Sequence, residues 1–254
     1  MGNAKIGPNR VPNPMTNKNS LSQWLSTSPV FSLARRATWH AIIWLLAQRN
    51  MTAVPAAENS FRAEDYGLIR NIVSETDMLL LREEAYQVLS CARATAKVPG
   101  DVAEVGVYRG GSARLICEVR GNRSLHLFDT FEGLPSTDQL DSRFAPGQYA
   151  ASFEKVQEYL AKFPEVHIYR GIFPATSGSI VDRRFSFVHL DVDLYQATRD
   201  SLEFFYPRLN RGGMFLIHDY LWAEGVHTAV QEFFATRPET ILELAGAYCG
   251  IVKL

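Results

Sequence analysis

The sequence predicts an α/β fold, a mostly parallel seven-stranded sheet with helices on both faces and an antiparallel end. Three observations predict it. From Asp101 onward, short apolar runs alternate with segments of helical periodicity, as in a parallel sheet whose crossovers are helices. Several runs end in glycine or an acidic residue, which marks strand-to-loop exits. Two further apolar runs, 241–243 and 248–252, lie too close together for a helix to join them. They suit antiparallel pairing.

Each element follows in order. Residues 1–28 are rich in Asn, Pro, Ser and Lys with little apolar periodicity, so a flexible arm is expected. Residues 29–98 read as a helical extension or lid. Leu68, Ile69, Ile72 and Val73 recur at helical spacing. Thr76-Asp77 then offers an N-cap for a helix running through Ala96, which Pro99-Gly100 ends. Residues 99–254 form the main domain. Its buried strands are expected at 102–107, 125–128, 166–169, 185–190 and 213–217, with helices at 112–120, 153–163, 198–209 and 226–236 between them.

Composition narrows the function. The 254 residues are 46% apolar and carry a formal net charge of -1. A sizeable core is available, but no field strong enough to draw the chain onto nucleic acid or an anionic membrane. A small-molecule partner is expected. The three cysteines, Cys91, Cys117 and Cys249, form no CxxC pair, which fits reduced thiols in the cytoplasm. Arg35-Arg36, the apolar run 37–47 and Ala53-Val-Pro-Ala-Ala57 have the outline of an export signal. The run holds His40 and two tryptophans and is too short to span a bilayer. It is expected to be a helix packed on the main domain or on a second subunit, hence a homo-oligomer.

The chemistry sits at strand ends. The first strand leads into Glu104-Val-Gly-Val-Tyr-Arg-Gly-Gly-Ser112. Gly106, Gly110 and Gly111 permit a tight turn and close approach of a ligand to the backbone. The helix starting near Ser112 favours an anionic group at its N-terminus. The second strand ends at Asp129, placed either to accept hydrogen bonds from ribose hydroxyls or to cap a turn. Gly171 and Ile172 follow the third strand and could line an adenine slot. The fourth delivers Asp191 and Asp193, and the fifth His218 and Asp219. Clustered carboxylates need a cation or a shared proton to coexist. The other histidines are weaker candidates. His126 and His189 are expected in the core, and His227 near a helix start.

Together these residues resemble the macrocin O-methyltransferase family. The stretches that carry the resemblance are Val98–Ala113, Phe128-Asp-Thr-Phe-Glu-Gly-Leu-Pro135, Asp191-Val-Asp-Leu-Tyr195 and Gly212–Tyr220. The likeness covers about residues 65–254. It implies a Rossmann-like class I methyltransferase fold that uses S-adenosylmethionine and Mg²⁺ to methylate a sugar hydroxyl. Glu104 and the glycine loop would flank the methionine moiety, and Asp129 would hold the ribose. Tyr108, Ser112, Thr130 and Phe131, within the matching stretches, would complete the donor site. Asp191, His218 and Asp219 would hold the metal, and Asp191 would also border the donor. Asp193 would act as general base. The family usually has Asp-Asp where this chain has His218-Asp219, and imidazole is a poorer Mg²⁺ ligand than carboxylate. Without a metal, His218 is the rival base, because its unperturbed pKa suits proton removal at neutral pH. The alternatives are a nicotinamide-dependent oxidoreductase, against which the missing GxGxxG counts, and a non-catalytic donor-binding homologue.

Overall fold

A computed structural model describes residues 63–137 and 139–254. The expected arm at 1–28 and the apolar run 37–47 lie outside the described residues.

Seven strands form one sheet in the order β3-β2-β1-β4-β5-β7-β6. They are β1 (Asp101–Val105), β2 (Leu125–Asp129), β3 (Val166–Arg170), β4 (Phe185–Leu190), β5 (Leu209–Ile217), β6 (Leu242–Glu243) and β7 (Cys249–Val252). The first five run parallel, and β7 is antiparallel to both β5 and β6. The central strand β4 is buried at every position, whereas edge strand β3 is not. That contrast follows from having neighbours and helices on all sides rather than on some.

The helices are α1 (Ala63–Thr76), α2 (Arg82–Ala94), α3 (Gly111–Val119), α4 (Phe153–Leu160), α5 (Tyr195–Phe205) and α6 (Glu224–Phe234). Alternation along β1 sends Ala103 and Val105 into one core and Val102 into the other. The first core also holds Leu202 and Phe205 of α5 and Val226 and Val230 of α6. The second holds Ile69 and Ile72 of α1, Val88 and Leu89 of α2, and Leu115 and Ile116 of α3. The two leading helices therefore share a core with the sheet.

Two expected boundaries differ. Thr76 caps no helix. It is the last residue of α1, and its hydroxyl donates to Ile72 O at 2.8 Å. The next helix starts at Arg82, where Glu84 closes the first turn by accepting from Leu81 N at 2.8 Å. Helix α5 starts at Tyr195 rather than near residue 198. Its first amide donates to the buried Asp141 carboxylate at 3.0 Å. That cap arrives from 54 positions away, so no local window reveals it.

The strand order reverses at β1, with β2 on one side and β4 on the other. Open α/β sheets bind ligands at the carboxyl ends of strands flanking such a point.

Candidate active site

Strand β1 exits through Gly106 at φ +87°, a left-handed conformation. Its amide donates to Phe128 O at 2.9 Å, and Asp191 N donates to Val105 O at 2.9 Å. The ends of β1, β2 and β4 are thereby tied together. A Cβ on Gly106 would lie 1.8 Å from Asp191 O, so only glycine lets the strands approach this closely. Gly111 opens α3 against Met78, where a Cβ would sit 2.8 Å away.

Asp129 fastens the same loop. Its Oδ2 accepts from Val107 N at 2.7 Å and Tyr108 N at 2.8 Å, and its Oδ1 accepts from Phe131 N at 2.7 Å. It also faces the cavity, and a carboxylate has acceptor capacity beyond three bonds.

That cavity, of about 460 Å³, opens at the carboxyl ends of the central strands. Of the residues singled out from the sequence, it is lined by Gly106, Tyr108, Gly111, Ser112, Asp129, Thr130, Gly171 and Ile172, and by Asp191, Asp193, His218 and Asp219. Three others do not line it. Gly110 is the left-handed N-cap of α3. Phe131 is buried, packed edge-on against Phe153. Glu104 is fully buried, and its Oε1 lies 2.7 Å from His189 Nδ1, while His189 Nε2 lies 2.9 Å from the Tyr248 hydroxyl. The register places Glu104 directly beside His189 on β4. Burial, only partly offset by His189, pushes the Glu104 carboxyl above the usual range. His227 does not line the cavity either; it stacks on Tyr220.

The acidic cluster occupies one side of the cavity. His218 Nδ1 lies 3.0 Å from Asp191 Oδ1 and 3.2 Å from Asp219 Oδ1. Its Nε2 lies 3.6 Å from Glu84 Oε2. Neither ring nitrogen has an aligned hydrogen-bond partner, although both are buried. Burial opposes charge on His218, but Asp191, Asp219 and Glu84 outweigh it and raise the imidazole well above its ordinary pKa. Burial likewise opposes ionisation of Asp191, and the His218 ring outweighs it and holds that carboxyl low. Asp193 is pushed up to about 9, first by burial and then by Asp191 and Asp219. Asp193 and Asp219 both have left-handed backbones, at φ 62° and 61°. Non-glycine residues held so cluster at functional sites.

Sequence reasoning missed several residues here. Glu84 reaches the cluster from α2, and also accepts from Ala247 N at 3.0 Å. Trp222 lines the cavity and its Nε1 donates to Asp219 Oδ1. Tyr149 lines it too, and its hydroxyl is raised by burial and by the three aspartates. For Trp222 a signal existed, since it stands three positions after Asp219. For Glu84 none did.

Comparison with known proteins identifies the family. The sequence pattern of the macrocin-O-methyltransferase (TylF) family matches residues 56–241. The chain belongs to that family. Among curated members of related function, an 8-demethyl-8-(2,3-dimethoxy-alpha-L-rhamnosyl)-tetracenomycin-C 4'-O-methyltransferase of Streptomyces olivaceus is 33% identical over 141 residues, 48% of this chain and 54% of that protein. A mycinamicin III 3''-O-methyltransferase of Micromonospora griseorubida is 35% identical over 143 residues, 48% of this chain and 56% of its own. The chain thus spans about half the length of the curated relatives it matches. The solved structure of the O-methyltransferase NovP superimposes with a TM-score of 0.63 at 22% identity, over 69% of this chain and 81% of that one. The fold is that of class I O-methyltransferases.

One prediction follows from the loop. Asp129→Ala removes three backbone anchors as well as any ribose contact. Each bond to a charged acceptor contributes about 1.5–3 kcal/mol. The affinity for S-adenosylhomocysteine, measured by calorimetry, should fall about 100-fold or more. An unchanged affinity would show that the loop stays ordered without Asp129.

Proposed function

We propose that the protein transfers the methyl group of S-adenosylmethionine to a hydroxyl of a glycosylated small molecule, assisted by a divalent ion. One observation carries this reading. Asp193 and Asp219 share a single cavity with the Gly106 turn and Asp129, so a base and a nucleoside-sized cradle meet in one space. The family's substrates support the choice of acceptor, since both curated relatives are named for methylating sugar positions of natural products.

The residues divide the work. Gly106, Gly111 and Ser112 let the donor's amino-acid end approach the backbone at the start of α3, where the helix dipole favours its carboxylate. Asp129 orders the loop and offers its spare acceptor capacity to the ribose. Gly171 and Ile172 border the adenine end. The sulfonium is already activated, so alignment of the acceptor oxygen with the methyl carbon supplies much of the acceleration. Asp193, held at about 9 while the cluster keeps its negative charge, would ionise once that charge is neutralised and take the hydroxyl proton as the oxygen–methyl bond forms and the sulfur–methyl bond breaks.

The cluster fits a divalent ion. Asp191, His218 and Asp219 can each turn one ligand atom to within 4.8 Å of the others. The His218 nitrogens are buried without an aligned hydrogen bond and meet Asp191, Asp219 and Glu84 only at ion-pair distance, as when ligands converge on a common centre. Such an ion would neutralise the carboxylates and lower the pKa of the acceptor hydroxyl. Ligation requires the neutral imidazole, so it competes with the proton that the carboxylates stabilise.

The test uses radiolabelled S-adenosylmethionine with mycinamicin III and the dimethoxyrhamnosyl tetracenomycin as acceptors. Methyl transfer to a sugar hydroxyl is expected, and failure to bind S-adenosylhomocysteine would overturn the reading. EDTA should abolish turnover, and Mn²⁺ or Mg²⁺ should restore it. Asp191→Asn and Asp219→Asn should lose both the metal response and calorimetric Mn²⁺ binding, whereas His218→Asp should keep them. Full activity in EDTA would remove the ion from the reaction. Among the described residues no helix is long and apolar enough to cross a membrane, and all three cysteines are free. The free cysteines are the ground on which we assign the enzyme to the cytoplasm. Its assembly as a homo-oligomer rests on the apolar run at 37–47.

A further inference from the structure

Trp222 is half exposed, 49% by relative area, yet it is held at four points. Its indole N–H donates to Asp219 Oδ1. Its carbonyl accepts from the Arg143 guanidinium. The same guanidinium lies over the ring, 4.6 Å from the ring centre, and Phe144 packs edge-on at 6.5 Å. Phe144 is itself buried, so the clamp is anchored in the core. A surface tryptophan ordinarily keeps its rotamer freedom, and fixing it carries an entropic cost. Here that cost is met while much of the ring stays in water.

The ring also faces the candidate site. It lines the cavity beside Asp193 and Asp219. Tyr149, 38% exposed with φ 63°, and Tyr108, edge-on to Tyr149 at 6.3 Å, line it as well. Leu79 is exposed on the same cavity. Among the described residues that line the cavity there is no lysine or arginine to hold an anionic acceptor, and nearby Arg109 is already paired with Asp77. What remains suits a neutral ring with an apolar face and hydroxyls on its edge.

We propose that Trp222 is an acceptor-binding residue, a prefixed wall on which the sugar ring of a neutral glycoside lies with one hydroxyl turned to Asp193. This rests on the methyltransferase reading above and adds to it the residue that selects the acceptor. The indole N–H sets the wall against Asp219, so the bound ring and the base keep a constant separation.

The test measures binding of p-nitrophenyl α-L-rhamnopyranoside to the full chain saturated with S-adenosylhomocysteine. Calorimetry should show saturable binding in the native protein. Trp222→Ala should weaken it about tenfold or more, as expected when an aromatic wall is lost. Trp222→Phe keeps the apolar ring and loses the N–H, so it should restore most of the affinity. S-adenosylhomocysteine affinity should change less than about twofold in both, since Trp222 binds no donor in this account. If Trp222→Ala does not fold, Trp222→Leu, which keeps bulk without a π-face, takes its place. Glycoside affinity that is unchanged in the alanine or leucine variant overturns the proposal, as does absence of glycoside binding in the native protein. Loss of S-adenosylhomocysteine binding in the native protein overturns the methyltransferase reading instead.

Discussion

Gly106→Ala is expected to cost about 4 kcal/mol or more of stability and to abolish S-adenosylhomocysteine binding. The added Cβ would lie 1.8 Å from Asp191 O and 2.7 Å from Asp191 C, both backbone atoms that cannot rotate away. Relief requires β1 and β4 to separate, which breaks the bond from Asp191 N to Val105 O and displaces Asp191 from the cluster. The left-handed φ adds about 1–2 kcal/mol for any residue with a Cβ. Gly121→Ala separates the two causes. That glycine has φ +63° and nothing within 4 Å of its added Cβ. It should show the conformational cost alone and bind the donor normally. Denaturant melts and calorimetry on both variants check this. Equal behaviour would mean that the close approach of the strands is not essential.

Asp193→Asn should lower kcat by roughly 10²–10⁴-fold, the usual contribution of a positioned general base. Donor affinity should stay close to native, since the proposed mechanism gives Asp193 a role toward the acceptor alone. Stability should not fall. Burial and two neighbouring carboxylates already hold Asp193 at about 9, so the native protein keeps a proton there at neutral pH when nothing else neutralises the cluster. A neutral amide of the same shape replaces a neutral acid. Single-turnover kinetics with either natural-product acceptor tests the first expectation, and a thermal melt the second. Retained turnover would show that Asp193 is not the base; His218, raised well above its ordinary pKa by Asp191, Asp219 and Glu84, does not suit the role that its sequence position suggested.

The two variants differ in how far the sequence foretells them. The need for glycine at 106 is legible as a glycine between a strand and a helix, but the atom it avoids belongs to Asp191, on another strand. Asp191 and Asp193 are legible as a pair at a strand end. They do not lie on a continuing strand, because β4 stops at Leu190 and Asp193 turns left-handed. Asp129 is legible as the acid ending β2. Its three amide bonds to the neighbouring loops are not, since two of them span 21 and 22 positions.

By itself, the sequence determined the α/β alternation, the antiparallel end, the glycine turn after β1 and the acids that end β2, β4 and β5. These are local demands: strand periodicity, backbone freedom at a turn, and polar residues where a buried strand meets solvent. Only the tertiary structure decided that Glu104 turns from the cavity to His189, that Glu84 on α2 reaches His218, that Asp141 caps α5, and that Trp222 is clamped beside Asp219. Each of those contacts joins groups brought together by sheet register and helix packing, and each depends on desolvation and charge that exist only once the two cores have closed around the sheet.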